Sequence, residues 1–380
     1  MTFGLLIPPL RSRRNRPSNQ LLSSCVSGPP ACAIPFDLPD SNTDHLLDRN
    51  EPKDVNRSIH YWTLAYILLN RIFNRKGISK MGYKPRFIVA AMQEAPWPEM
   101  IERWQRLETL GLDGVMLADH FVNFAQPKAP WFEAWTLLSA LATQTKTIRV
   151  GLLSAIPWRN PAFLARQAMT VDHISNGRLE LGLGAGAPGS VDISYAMTGT
   201  PDWPAKERVE RFREAVEIVD QLLRNPETSY EGRYYQLKGT VMNPQPVQKP
   251  RPPLMIGANG PHMLKIVAKY ADTWNTFGGI DIKSPAEMLT LTRERNTRLD
   301  GYCAKIGRDP TTLRRSILIY TEEEYMQMYS TKGAFEELIK RYWEIGITEF
   351  IFFYPFAPMM MPLFEHIAKE AIPRLRQELD

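Results

Sequence analysis

Eight short β-rich runs alternate with helical patterns from Arg86 onward, and this alternation limits the possible folds more than any other feature of the chain. The runs are 87–92, 114–119, 148–154, 179–184, 254–258, 273–277, 316–320 and 350–354. Strands that alternate with helices indicate βα units and a parallel sheet. Eight such units in about 300 residues predict an α/β fold of the (β/α)8 (TIM) barrel type. A doubly wound sheet stays open as the alternative.

Local helix signals support these units. Ser284 followed three residues later by Glu287 predicts a capping box at a helix start. The apolar stripe over residues 209–223 predicts a helix that buries one face, with Glu207 and Arg211 paired on the other. These stripes indicate core packing and not a cofactor motif.

The glycine run around Gly184 fits the G-x-G-x-x-G pattern of dinucleotide-binding folds. That pattern binds pyrophosphate only where a helix opens inside the run. Here proline and irregular sequence follow, and we expect no helix before about Trp203. Gly182, Gly184 and Gly186 are instead assigned to the fourth strand and its exit, where missing side chains let a ring system approach the backbone. Tight packing of the sheet is the alternative explanation for these glycines.

Charge and composition exclude several classes of function. The formal net charge is +5, but residues 1–80 hold 11 Lys and Arg against 6 Asp and Glu, which leaves 35 of each in residues 81–380. A neutral body disfavours nucleic acid and anionic membranes as partners. The longest apolar run is about half of a bilayer span, and the three cysteines form no disulfide or zinc pattern. We therefore expect a soluble, cytoplasmic protein that contains no metal site.

The first eighty residues differ from the rest. No acidic residue precedes Asp37, and four arginines lie between Arg11 and Arg16 among prolines and serines. Such a composition resembles a transit peptide, although the prolines argue against an amphipathic helix. We divide the chain into an N-terminal extension, 1–80, that is disordered or an artefact of the assigned start, and a barrel domain, 81–380. Translation from Met81 and a genuine extension are both open.

Barrel enzymes build their sites at the C-terminal ends of the strands. No lysine ends a strand and no H-x-H or H-E-x-x-H pattern occurs, which disfavours aldolase and metallohydrolase chemistry. The strand ends are instead rich in glycine and aromatic residues. A barrel mouth of this kind suits a planar cofactor with its own reactivity. The Asn259-Gly260 turn before a helix predicts a phosphate site, with a plain turn as the alternative. Residues 187–204 are predicted to cover the substrate, through Tyr195, Met197 and Trp203.

In combination, five stretches resemble the bacterial luciferase-like superfamily of flavin- and deazaflavin-dependent barrel oxidoreductases. They are LGLDGVMLADHF, TKTIRVGLLSAIPWRNPAFLARQAMTVDHISNGRLELGLGAG, KERVERFREAVEIVDQLL, YEGRYYQL and PVQKPRPPLMIGANGPHMLKIVAKYADTWN. The resemblance covers most of residues 86–354. It implies coenzyme F420, or alternatively FMN, at the mouth, and a non-prolyl cis peptide near Ser154-Ala155.

The resemblance is nearest to F420-dependent reductases and dehydrogenases, and it implies that His120 transfers a proton or polarises the substrate. A structural histidine is the alternative. Ala187 stands where some of the sugar dehydrogenases carry a glutamate, so the acid would have to be another group, such as Glu94, or come from the substrate. The residues expected to contact the cofactor are Asp119, Ser154, Ala155, Gly184, Ala185, Gly186, Gly257, Ala258, Asn259 and Gly260. Arg159 either reaches the cofactor or is solvated, whereas His173 and Arg178 are expected to be structural.

Three functions follow from these expectations. The first is hydride transfer between F420 or FMN and a small organic substrate. The second is an FMNH2-dependent monooxygenase that inserts one oxygen atom from O2, and the third is a non-catalytic flavin-binding relative. A separate flavin or F420 reductase and a homodimer are further expectations from the family.

Overall fold

The computed structural model describes residues 82–123, 126–277, 282 and 284–380. The expectations for the N-terminal extension therefore lie outside the described residues. In chain order, the strands of the described part are β1 (Arg86–Ala90), β2 (Gly114–Asp119), β3 (Arg149–Ala155), β4 (Leu179–Gly184), β5 (Glu227–Glu231), β6 (Gln236–Val241), β7 (Leu254–Gly257), β8 (Thr273–Thr276), β9 (Arg314–Leu318) and β10 (Glu349–Phe353).

Eight of these strands form one closed parallel barrel. The order around the ring is β1-β2-β3-β4-β7-β8-β9-β10, and β10 pairs with β1 from Arg86↔Glu349 to Ala90↔Phe353. The predicted (β/α)8 barrel is confirmed and the doubly wound alternative is wrong. Each of the eight predicted strands matches an observed barrel strand to within two residues at either end.

Helices follow the barrel strands. They are α1 (Trp97–Thr109), α2 (Ala134–Gln144), α3 (Pro161–Ile174), α4 (Ser194–Thr198), α5 (Ala205–Arg224), α6 (Pro261–Tyr270), α7 (Pro285–Lys305), α8 (Glu322–Met328), α9 (Ala334–Trp343), α10 (Met361–His366) and α11 (Ile372–Glu378). The Ser284 hydroxyl accepts the Glu287 N–H at 3.2 Å, as the capping box predicted. Arg211 pairs with Glu207 at 2.8 Å on the outer face of α5. None of the described helices combines the length and the apolar composition that a bilayer crossing requires.

A two-stranded antiparallel hairpin, β5–β6, lies outside the barrel and was not predicted. The Glu214 carboxylate on α5 accepts the backbone N–H groups of Arg233 and Tyr234 at 3.0 and 2.9 Å. The turn of the hairpin is therefore fixed to the helix that precedes it.

The apolar core has two layers. Alternate residues of each strand face the helices and form the larger cluster, which Phe87, Leu181 and Ile256 exemplify. The other set fills the inside of the barrel. The fully buried members of this inner cluster are Ile88, Ala90, Met116, Met255 and Ile351.

Charged residues close the N-terminal end of the barrel. Arg86 bonds to Glu180 at 2.7 Å and to Glu349 at 2.8 Å, and Arg149 reaches Glu180 at 3.0 Å. Burial raises the pKa of Glu349. Burial acts in the same direction on Glu180, but Arg86 and Arg149 outweigh it and its pKa is lowered. These pairs link the first, middle and last strands of the ring.

Two sequence-based expectations were wrong. The short helix α4 begins at Ser194, well before Trp203, because the Asp192 side chain accepts the N–H of Ser194 at 2.9 Å and Gly199, at φ +69°, ends the turn.

The cis peptide bonds of the described residues are Asn243–Pro244 and Lys249–Pro250. The non-prolyl cis bond expected near Ser154-Ala155 is therefore absent from this part of the chain. Regular parallel pairing of β3 with β4 instead continues as far as the Ala155↔Gly184 pair.

Candidate active site

The glycine side of the mouth exposes bare backbone on two neighbouring strands, β4 and β7. A Cβ atom built at Gly184 would lie 3.9 Å from its nearest neighbour, one built at Gly257 would lie 3.8 Å away, and one at Gly260 would meet nothing within 4 Å. At Gly182 the same atom would be 2.6 Å from the Leu152 carbonyl oxygen. Gly182 therefore permits close packing of the sheet, as the alternative explanation proposed. Gly184 leaves open space at the mouth, and the approach of a ring system there stays a prediction.

Gly186 has a different constraint. Its φ of +79° lies in the left-handed region, and an added Cβ would be 2.8 Å from the Tyr195 hydroxyl. The backbone leaving β4 thus passes directly beside the side chain of Tyr195.

Aromatic side chains form the other side of the mouth. Phe277, Tyr320 and Phe353 follow or end β8, β9 and β10. The ring centroids of Phe277 and Tyr320 are 6.0 Å apart, and those of Tyr320 and Phe353 are 6.2 Å apart. Phe356 extends the row, with its centroid 5.7 Å from that of Phe353. We call these four residues the aromatic wall.

His120, at the end of β2, pairs with a buried carboxylate. Its Nδ1 lies 2.8 Å from Oδ2 of Asp192, which is 2% exposed. Burial tends to raise the pKa of Asp192, but hydrogen bonds from His120 and Ser194 outweigh it, so the pKa is lowered and the group is ionised at neutral pH. Because a carboxylate only accepts, Nδ1 carries the hydrogen and the lone pair of a neutral ring is on Nε2.

No sequence pattern predicts the role of Asp192. It lies 72 residues after His120, in an irregular segment, and no local pattern connects the two. The segment predicted to cover the substrate holds two acidic residues, Asp192 and Asp202, and sequence does not distinguish them.

Asp119 and Ser154 form a buried cluster behind the strand ends. The Ser154 hydroxyl donates to Asp119 at 2.7 Å, and Arg159 bonds to Asp119 at 2.8 Å and to Glu133 at 2.7 Å. Strand alternation puts both side chains on the helix-facing side of the barrel. Arg159 is thus neither solvated nor unpaired, and the cluster supports the ends of β2 and β3.

Glu94 lies in the segment between β1 and α1, half-buried, with its Oε2 3.4 Å from Nδ2 of Asn123. Gln93 beside it is fully buried and donates to the carbonyl oxygens of Ala118 and Phe132 at 2.8 and 3.0 Å. Gln93 therefore joins the ends of β1 and β2 and positions the segment that carries Glu94.

The three residues predicted to cover the substrate have different positions. Tyr195 is 4% exposed and packs on Trp158, with ring centroids 4.6 Å apart. Met197 is exposed on α4, and Trp203 stacks under the guanidinium of Arg211 at 4.2 Å. Of the three, Tyr195 lies closest to the glycine strand.

Several buried polar atoms near Tyr195 have no hydrogen-bond partner in the described part of the chain. They are the Tyr195 hydroxyl, Oγ of Ser194 and Nε1 of Trp158. Buried polar groups are nearly always satisfied, so these three atoms lack a partner that an ordered water or a bound molecule would supply.

The loop after β7 presents the N-terminus of α6. Oδ1 of Asn259 accepts from the Thr276 hydroxyl at 2.9 Å and from Arg295 at 3.3 Å. Burial is the main cause of a lowered pKa for Arg295, and Arg298 adds to it. Ala258 is buried beneath the turn. A cation and free helical N–H groups thus lie at one loop, as an anion site requires.

The two residues expected to be structural contact backbone at the opposite end of the barrel. His173 Nε2 is 2.8 Å from the Gln245 carbonyl oxygen, and Arg178 donates to the carbonyl oxygens of Ala142 and Ile148 at 2.6 and 2.8 Å. In the described ranges, no three His, Cys, Asp or Glu side chains come together as a metal site would need.

Comparison with known proteins shows which family the chain belongs to. The family model of the luciferase-like monooxygenases matches residues 79–327. An F420-dependent glucose-6-phosphate dehydrogenase of Amycolatopsis mediterranei is 34% identical over 197 residues, which are 50% of this chain and 54% of that protein. The oxygenase component of a flavin-dependent trigonelline monooxygenase of Acinetobacter baylyi is 30% identical over 172 residues, 45% of each chain. The chain thus spans about half the length of these curated relatives.

Solved structures show the same fold. An F420-dependent secondary alcohol dehydrogenase, solved with an F420-acetone adduct, aligns with a TM-score of 0.62 at 19% identity and covers 76% of this chain and 99% of its own. A long-chain alkane monooxygenase aligns with a TM-score of 0.62 at 14% identity, over 78% of this chain and 95% of its own. With the family model matched over well more than half of its length, the chain belongs to the luciferase-like monooxygenase family.

Proposed function

We propose that this protein transfers two electrons, as a hydride, between coenzyme F420 and a small organic substrate at the mouth of the barrel. One observation carries the proposal. The His120–Asp192 pair lies at the end of β2, two strands from β4 in the ring, and Gly184, the last residue of β4, leaves its backbone open at the mouth. Relatives that use F420 support this choice of cofactor.

The residues present fit a flat ring system with a phosphate. Open space at Gly184 and Gly257 admits a planar group against the backbone, and the unsatisfied hydroxyl of Tyr195 offers a hydrogen bond to its edge. The Asn259-Gly260 turn, with Arg295 beside it, suits the phosphate. We propose that Ala155, Ala185, Gly186 and Ala258 contribute backbone contacts, and that Asp119 and Ser154 act as supports for the strand ends.

When bound, F420 supplies the acceptor or donor of the hydride. His120 then has a defined task, because its Nε2 lone pair accepts the proton of a substrate hydroxyl while the C–H electron pair leaves as hydride. Asp192 holds the ring in this tautomer and stabilises the imidazolium that forms. In the reverse direction, the imidazolium returns the proton to the oxygen of a carbonyl substrate. Glu94 is the second proposed acid, on the neighbouring strand end.

The monooxygenase relative favours a second candidate, in which reduced FMN and O2 serve one-oxygen insertion. That relative is the oxygenase component of its system, and this candidate would require a separate reductase as a partner. A flavin-binding protein without activity is the third.

Identification of the cofactor tests the proposal. The protein is expressed in a host that makes F420, the bound small molecules are extracted, and mass spectrometry identifies them. The emptied protein is then titrated with F420 and with FMN, and cofactor fluorescence is measured. F420 is expected to bind more tightly; binding of FMN alone, with aerobic turnover, would overturn the F420 assignment, and binding of neither would overturn both.

Substitution of His120 separates an enzyme from a non-catalytic relative. His120→Ala should lower turnover of F420 with an alcohol or ketone by roughly 10²- to 10⁴-fold, the usual contribution of general acid–base catalysis, and leave F420 affinity unchanged. His173→Ala, at the opposite end of the barrel, is the matched control. A wild-type protein that binds F420 but turns over no substrate would support the non-catalytic alternative.

A further inference from the structure

We propose that the substrate of this site is an uncharged, largely apolar molecule that carries a hydroxyl or carbonyl group, seated against the aromatic wall. This inference rests on the proposed function and assigns the substrate class. Four observations support it: the position of the aromatic wall, the charges at the mouth, the exposed apolar side chains around the mouth, and the hydroxyl of Tyr320.

The ring order places the wall across the mouth from the proposed cofactor side. In a closed ring of eight strands, β8, β9 and β10 are four places from β2, β3 and β4. Tyr320 therefore faces the end of β3, and Phe353 faces Gly184. A flat cofactor against the β3 and β4 ends leaves the space between it and the wall for the substrate, with His120 opposite Phe277.

The inner residues that close the strand ends carry no Lys, Arg, Asp or Glu side chain, and the nearest charged groups beyond them, Glu94 and Asp192, are carboxylates that would repel an anionic substrate. The inner residues are Met92, His120, Ala155, Gly184, Gly257, Phe277, Tyr320 and Phe353. Two arginines near the mouth already have carboxylate partners: Arg159 pairs with Asp119, and Arg208 with Asp202 at 2.5 Å. A phosphate or carboxylate on the substrate would have to compete with these pairs, and recognition of such groups normally needs cations.

Exposed apolar side chains are also present around the mouth. Of the large hydrophobic side chains that are exposed in the described part, most lie in segments that lead away from the C-terminal strand ends. These are Trp97, Phe121, Phe132, Ile193, Met197, Phe356 and Met359. Exposed apolar side chains that are scattered singly need no explanation, whereas a contiguous patch of them marks a binding surface. Their position on the face of the proposed active site fits an apolar ligand that enters there.

Tyr320 supplies the polar contact. Burial raises the pKa of its phenol, so the hydroxyl stays neutral. Among the described residues, no side chain or backbone group is hydrogen-bonded to it. A neutral hydroxyl in an aromatic row can donate to one oxygen of an apolar substrate, and it cannot neutralise a phosphate.

The test uses F420-loaded protein and four probes: acetophenone, cyclohexanone, 1-phenylethanol and glucose 6-phosphate. Binding is measured by equilibrium dialysis. At least one of the three uncharged probes should bind saturably and more tightly than glucose 6-phosphate. Phe356→Ala should weaken that binding by about tenfold through loss of an aromatic contact. Tyr320→Phe should weaken it by a smaller factor and preserve the wall.

Ile306→Ala is the control, because Ile306 is exposed just beyond α7 at the opposite end of the barrel. It should leave the affinity for the probe unchanged. Phe356 is itself 45% exposed, so its substitution is not expected to disturb folding; F420 affinity measured in each variant verifies this.

The outcomes separate this inference from the proposed function. Tighter binding of glucose 6-phosphate, or uncharged probes that bind equally well to Phe356→Ala and wild type, would overturn the inference. F420 binding with no uncharged probe bound would also overturn it, and would leave the proposed function standing. Probe binding to a protein that does not bind F420 would contradict the proposed function and preserve the apolar site.

Discussion

His120 and Asp192 show how a single residue contact turns a barrel end into a candidate catalytic site. The carboxylate is buried and ionised, so its hydrogen bond fixes which ring nitrogen of His120 carries the proton. Without that contact, the two tautomers of a neutral imidazole would be close in energy. The orientation of His120 therefore depends on the segment after β4, which carries Asp192, as well as on β2.

Asp192→Asn is expected to remove this tautomer preference. The amide keeps the shape but offers a donor as well as an acceptor to Nδ1, so both tautomers become populated. Nitrogen-15 NMR of the His120 ring measures the change, and turnover should fall roughly 10²-fold or more with little change in F420 affinity. Asp309→Asn, at an exposed turn, is the control. An unchanged ring spectrum in Asp192→Asn would refute the positioning role.

At the residue scale, sequence predicted the histidine and not its partner. His120 follows a predictable strand, and barrel geometry makes any strand-end histidine a candidate. Asp192 is brought to it only by the path of the connecting segment, which has no periodic pattern. The glycines were likewise ambiguous in sequence, and only the surrounding atoms separate Gly182 from Gly184.

At the scale of elements, α1 and β3 are joined by one carboxylate. Glu108, on α1, accepts the backbone N–H groups of Lys146, Thr147 and Ile148 at 2.8, 2.5 and 2.9 Å, just before β3 begins. Burial tends to raise the pKa of Glu108, but these hydrogen bonds outweigh it and lower the pKa to about 2. Glu108 thus fixes the backbone of residues 146–148, directly before β3 begins.

Glu108→Gln should destabilise the fold in a pH-dependent way. Because the folded pKa is below the unfolded value of about 4.3, the stabilisation is present above pH 4.3 and is lost as pH falls toward 2. After allowance for solvent screening of this partly exposed group, the loss at pH 7 is about 1 kcal/mol. Denaturant unfolding at a series of pH values measures it, with Glu102→Gln on the same helix as control. A difference between Glu108→Gln and wild type that does not shrink at low pH would contradict the account.

Strand and helix positions were predictable because each strand is short, apolar and bounded by a helix with its own signals. The prediction was wrong where backbone structure depends on contacts remote in sequence. Helix α4 was missed because Asp192 and Gly199 define it within an irregular segment. The β5–β6 hairpin was missed because its register depends on Glu214, which lies on the preceding helix.

On the scale of the whole molecule, closure of the barrel depends on the buried charges at its N-terminal end. Arg86, on the first strand, bonds to Glu349 on the last and to Glu180 on the fourth. Both carboxylates are buried, so each needs a cation to offset the cost of burial. Arg86 serves both, and Glu180 also has Arg149.

Arg86→Met is expected to lower the free energy of unfolding by about 3–5 kcal/mol, because it leaves two buried carboxylates without their shared cation. Thermal and denaturant unfolding measure the loss. Arg213→Met, which removes a half-exposed pair with Glu217 on α5, should change stability by less than about 1 kcal/mol. Equal effects of the two substitutions would show that the buried cluster does not stabilise the closed ring.

Binding of F420 to the wild-type protein and to Gly184→Ala tests the central claim most directly: that bare backbone at the mouth of a closed barrel holds a flat cofactor. Because the added methyl group meets no protein atom closer than 3.9 Å, the variant should fold and melt as the wild type does. Its F420 affinity should be at least about tenfold weaker, since the methyl group occupies space that the ring needs. A Gly184→Ala protein that binds F420 as tightly as the wild type, or a wild type that binds none, would contradict the account.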